Sequence, residues 1–136
     1  MKEKKGFTLV ELLGVITLLA LVGLISIPIV SNVIENSRVK AFKQTLNGII
    51  DASRIHNAES NYSLFDNGPI DLTDGTIQFE NLKEIETGKV YYDGKEYYLE
   101  DVKNDRFCAV GVLGKYNIYE GECGSDTVLE SNFDNF

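Results

Sequence analysis

From Leu12 to Ile34 the chain carries no charged residue. As a helix rising about 1.5 Å per residue, that run spans about 34 Å, enough to cross a bilayer. A helix that is apolar all round must be covered by lipid or by other apolar helices. Glu11 stands at the start of this run, where a carboxylate near a bilayer centre costs about 2.5–3.5 kcal/mol. Such a residue calls for a partner of opposite charge. A break in the chain after Gly6 would create one, because the new α-amine of Phe7 lies four residues, one helical turn, from Glu11.

The stretch Gly6-Phe7-Thr8-Leu9-Val10-Glu11 resembles the class III signal of type IV pilins and pseudopilins. The resemblance covers residues 2–28. It implies cleavage by a prepilin peptidase between Gly6 and Phe7, N-methylation of Phe7, and a role for Glu11 in docking the subunit into a filament. Pro28, with Gly23 before it, falls where that family commonly bends its helix.

Lys2, Lys4 and Lys5 precede the apolar run, whereas Glu35 is the first charge after it. The positive-inside bias therefore keeps the N-terminus in the cytoplasm and places the C-terminal domain across the membrane. An ordinary secretory signal would need an A-x-A-like cleavage site after the apolar core. None stands between Ser26 and Arg38, so the apolar segment is expected to be retained. The two cysteines then meet an oxidising compartment, and a Cys108–Cys123 disulfide is expected.

The 136-residue chain carries a net charge of −8. Removing residues 1–6 takes away three lysines and one glutamate and leaves the remainder more acidic. That balance counts against direct nucleic-acid binding, which rests on Lys and Arg neutralising phosphate. Nothing in the sequence matches a phosphate loop, a nucleophile elbow or a catalytic triad. No cofactor and no metal is expected. The pairs Glu84/Glu86 and Glu100/Asp101, with Asp105, lack the spacing of a calcium loop and read as solvated turns.

Beyond Ile34, apolar residues recur at Val39, Phe42, Leu46, Ile49, Ile50 and Ile55, with Lys40, Lys43, Gln44 and Asn47 between them. This stripe predicts that one helix continues from Phe7 to about Ala58. His56 reads as a surface residue near its end. The Asn-, Ser-, Asp- and Gly-rich residues 57–75 read as a connecting loop.

Asp93-Gly94 between two alternating aromatic runs predicts a hairpin with a two-residue turn, placing Val90, Tyr92, Tyr97 and Leu99 on the core face. Tyr91 and Tyr98 then face away. Gly114-Lys115 predicts a second hairpin over residues 107–120, with Cys108 opposite Gly121. The acidic segment after Cys123 reads as irregular, with Phe133 and Phe136 packing back on the sheet.

The expected fold is α+β: a long N-terminal helix, membrane-spanning in its first half, packed against a small antiparallel sheet, as in type IV pilins. The expected divisions are a leader at 1–6, a transmembrane and assembly helix at 7–34, its amphipathic continuation at 35–58, and a globular head at 59–136. The resemblance implies a non-enzymatic filament subunit, major or minor, serving adhesion, motility or biofilm formation. A pseudopilin of a type II secretion or competence DNA-uptake apparatus shares the same N-terminal logic. A monomeric membrane-tethered binding domain is the reading from another class. The implied partners are other pilins or further copies of the chain, the prepilin peptidase, the assembly machinery and the membrane. The precursor is expected in the cytoplasmic membrane and the assembled subunit in an extracellular pilus.

Overall fold

The computed structural model describes residues 6–132; Lys2, Lys4, Lys5, Phe133, Asp134 and Phe136 lie outside the described residues. The chain divides into two compact units, Met1–Lys40 and Ala41–Phe136. A single helix, α1 (Leu9–Glu59), contributes to both. It begins two residues later than the stripe predicts, because Thr8 serves as its N-cap.

In the first unit the side chains of α1 have almost no partners within the chain. None of its most apolar 18-residue window is buried. The hydroxyls in this segment are nonetheless satisfied: Thr17 donates to the carbonyl of Leu13, Ser26 to that of Val22 and Ser31 to that of Ile27. Bonding back to the carbonyl four residues earlier removes the need for water, which a bilayer would not supply. The helix continues through Gly23 and Pro28, although Pro28 has no N–H to offer Leu24.

The second unit is the distal part of α1 packed on a six-stranded antiparallel sheet in simple sequential order. The strands are β1 (Ile70–Asp71), β2 (Thr87–Tyr92), β3 (Tyr97–Lys103), β4 (Phe107–Val112), β5 (Lys115–Glu120) and β6 (Val128–Ser131). Phe42, Leu46, Ile49 and Ile50 of α1 are buried, facing Val90, Leu99, Val102, Ala109 and Ile118 of the sheet. Each such side chain contributes about 1.5–3 kcal/mol by leaving water. Phe65, Leu72, Ile77 and Ile85 from the connecting segment close the rest of the core.

The helical stripe ends differently from its apolar pattern. Ile55 is 58% exposed, and Ser53 and Asn57 are buried in its place. These lie on the row through Leu46, Ile49 and Ile50 at i+3 and i+4 spacing, whereas Ile55 is turned away from it. Gly48 is explained by Phe79. A Cβ on Gly48 would stand 2.2 Å from the Phe79 Cζ atom, so the ring rests directly on the helix backbone.

Both hairpins close in registers other than those the sequence predicts. In the first, Tyr92 pairs with Tyr97, Val90 with Leu99, and the Asp93 N–H donates to the Glu96 carbonyl at 3.3 Å, so the two-residue turn is Gly94-Lys95 rather than Asp93-Gly94. The Asp93 carboxylate accepts hydrogen bonds from the backbone N–H groups of Lys95 (2.8 Å) and Glu96 (2.7 Å). Those two bonds stabilise the turn in this shifted position. The shift is two residues, so the predicted faces survive, with Val90, Tyr97 and Leu99 buried. In the second hairpin Val112 pairs with Lys115, making Leu113-Gly114 the turn and placing Cys108 opposite Tyr119 rather than Gly121. Gly114 takes φ +78 at the second turn position, a conformation that favours glycine over Lys115.

The described part of the acidic end holds a strand where the sequence predicts an irregular segment. β6 pairs with β5, and Glu130 forms an ion pair with Lys43 of α1 at 2.8 Å. The sequence showed no basic residue near Glu130; the fold brings one across 87 positions. The predicted loop at 57–75 likewise contains β1, which pairs with Lys89 and Val90 in the middle of β2.

Candidate functional site

The described part of the N-terminal signal starts at Gly6. Phe7 follows in an open position, 87% exposed, and no heavy atom comes within 4 Å of where a Gly6 Cβ would stand. Among the described residues, nothing covers the Gly6-Phe7 junction.

At the start of α1, Thr8 and Glu11 bond reciprocally. The Glu11 N–H donates to Thr8 Oγ1 at 3.1 Å, and the Thr8 N–H donates to Glu11 Oε2 at 3.3 Å. This capping box satisfies two backbone donors that the first turn would otherwise leave open. It also sets the carboxylate at the positive end of the helix dipole. Thr8 was legible in the sequence, since Thr-x-x-Glu before an apolar run is the signature of such a cap. The carboxylate is thus held near the residue whose amine cleavage would release, in a position set by its own helix.

Cys108 and Cys123 form a disulfide with Cα atoms 5.1 Å apart. It fastens β4 to the turn that follows β5. Lys103 of β3 pairs with Glu122 beside it. Asp101 also lies close to the two sulfurs, but sulfurs joined in a disulfide are not thiolate ligands, so the trio does not make a metal centre. Glu84, Glu86, Glu100, Asp101 and Asp105 are all exposed. Tyr91 and Tyr98 form a half-buried cross-strand pair on the face away from α1. His56 is half-buried; its Nε2 accepts from the Gln78 N–H at 3.4 Å, and its Nδ1 lies 3.4 Å from Glu59.

Residues 1–27 match the family model of the prokaryotic N-terminal methylation motif, the class III signal of type IV pilins. The match includes Gly6, Phe7, Glu11 and Gly23 and ends one residue before Pro28. No curated protein and no solved structure matches the chain. The fold, one long N-terminal helix with an antiparallel sheet, is α+β and pilin-like.

Proposed function

We propose that the chain is a structural subunit of a type IV pilus. Prepilin peptidase cuts it between Gly6 and Phe7, Phe7 is N-methylated, and the apolar helix polymerises with other subunits as it leaves the membrane. Residues 7–34 are the anchoring and assembly segment, residues 35–58 continue its helix, and residues 59–136 form the exported head. The reading is supported above all by the methylation motif opening a helix whose most apolar stretch is covered by none of the described residues.

Glu11 is the residue that couples processing to assembly. After cleavage, the carboxylate of an incoming subunit meets the Phe7 amine of a neighbour in a low-dielectric bundle, where opposite charges attract far more strongly than in water. Contacts of this head-to-tail kind do not close, and they extend a fibre. Gly23 and Pro28 supply the place where the helix bends as it packs. The acidic surface disfavours direct capture of DNA and agrees better with a pilin than with a DNA-uptake subunit.

Mass spectrometry of protein recovered from cell-surface fibres tests the reading: the chain is expected to begin at methylated Phe7. A chain still beginning at Met1 in such fibres would refute it. Two substitutions separate the charge of Glu11 from its cap. Glu11→Gln keeps an acceptor at the third position of the helix and loses only the charge, and both Glu11→Gln and Glu11→Ala are expected to reduce sheared fibre yield at least tenfold. A normal yield with Glu11→Gln would remove the electrostatic role.

A further inference from the structure

In the second unit, the distal part of α1, the segment after it and the β2–β3 hairpin enclose an open cleft of about 430 Å³, within the usual range of small-molecule sites. Tyr62, Tyr92 and Tyr97 line it together with Arg54, Lys95 and Glu96. Its aromatic wall is rigid. Tyr92 stacks on Tyr97 at 4.3 Å between centroids, Phe65 meets Tyr97 edge-on at 5.9 Å, and the buried Asn57 donates from Nδ2 to the Tyr97 hydroxyl at 3.0 Å.

Tyr62 reaches the cleft at a cost. It follows Asn61, and both residues hold a left-handed backbone, φ 53 and 63. That conformation is strained for a bulky residue. Burial does not offset it, because Tyr62 remains 63% exposed. The conformation closes the end of α1, where the Tyr62 N–H donates to the Asn57 carbonyl at 2.7 Å and the Asn61 N–H to that of Ala58 at 3.2 Å, and it fixes the Tyr62 ring at the cleft.

The polar groups select the ligand. This cleft brings together two cations, Arg54 and Lys95, with Glu96 on its wall and Asp51 beside Arg54. The Arg54 guanidinium lies 5.9 Å over the Tyr97 ring and 3.4 Å from Asp51. A planar guanidinium beside aromatic faces matches a carboxylate attached to a ring with an apolar C–H face. We infer that this cleft binds a pyranose bearing a carboxylate, a sugar of the uronic or sialic type. The ring stacks on tyrosine, Arg54 and Lys95 take the carboxylate, and Glu96 accepts from a hydroxyl. The inference goes beyond the filament reading and does not depend on it.

The test uses the full chain, isotopically labelled in detergent micelles and titrated at constant ionic strength with sodium glucuronate, glucose or sodium acetate. Saturable amide shifts at Arg54, Tyr62, Tyr92 and Lys95 are expected with glucuronate, in the millimolar range. Glucose should bind at least fivefold more weakly, and acetate should not saturate. Arg54→Gln should weaken glucuronate at least tenfold. Tyr62→Gly should relieve the backbone and leave the melting temperature unchanged or higher while weakening the sugar at least tenfold. The inference is overturned if glucuronate gives no saturable shifts at these residues, if acetate binds as well, or if Tyr62→Gly lowers the melting temperature without affecting the sugar. Shifts at the same residues that follow protein concentration without sugar would assign the cleft to a second copy and overturn it equally.

Discussion

Single residues in this molecule are understood best by what stands against them. Gly48 should be a weak point in α1, since glycine costs about 1 kcal/mol relative to alanine inside a helix. The Phe79 ring reverses the expectation, because any Cβ there collides with it. Gly48→Ala is therefore expected to destabilise the head by about 1–3 kcal/mol through overpacking. Combining it with Phe79→Leu should recover part of the loss; chemical denaturation of the single and double variants checks both. Tyr116 is a second case. Its hydroxyl donates to Asn47 Oδ1 at 2.6 Å, and burial pushes its pKa up to about 12. Because the folded value lies above the unfolded one near 10, the neutral form favours the fold below pH 10, and stability falls between pH 10 and 12. Tyr116→Phe should cost about 1 kcal/mol at neutral pH and flatten that alkaline decline.

At the level of elements, two turns and one covalent link set the sheet. The N–H groups of Glu96 and Lys95 hold the Asp93 carboxyl below its ordinary value of 3.8. A depressed carboxylate stabilises above its unfolded value, and that contribution is lost as pH falls through the folded one. Protection from exchange at Lys95 and Glu96, taken relative to the intrinsic amide rate, should accordingly fall as pH drops below 3.8, while Asp93→Asn, which keeps an acceptor without a titration, should show no such step. The Cys108–Cys123 bridge has a sequence separation of 15, for which loop entropy gives about 3 kcal/mol. Replacing both cysteines with serine should lower unfolding free energy by about that amount and leave the register of β4 and β5 intact, since six paired positions hold it. Loss of the β4–β5 cross-peaks in that variant would show instead that the bridge sets the register.

For the whole molecule, the buried side chains among the described residues all belong to the second unit, from Phe42 onward. A chain starting at Asn36, with Ser37 free to cap the shortened helix, is expected to stay soluble without detergent and to unfold cooperatively. Its midpoint should lie within a few degrees of that of the full chain in micelles. A non-cooperative transition would mean that the apolar run contributes to the stability of the head.

What the sequence settled by itself is everything that depends on neighbours along the chain. The uncharged run, the Gly6-Phe7 junction, the stripe from Phe42 to Ile50 and the existence of two hairpins are local patterns, and local physics decides them. Tertiary structure decided what depends on distant partners. It chose the hairpin registers by the bonds available to Asp93 and the backbone angle open to Gly114, drew Asn57 rather than Ile55 into the core, and set Phe79 on Gly48. It also recruited Glu130 to Lys43 and gathered Tyr62, Tyr92, Tyr97 and Arg54 around one cleft. Contacts across tens of residues leave no periodic trace in a sequence, because their energy appears only once the chain has closed on itself.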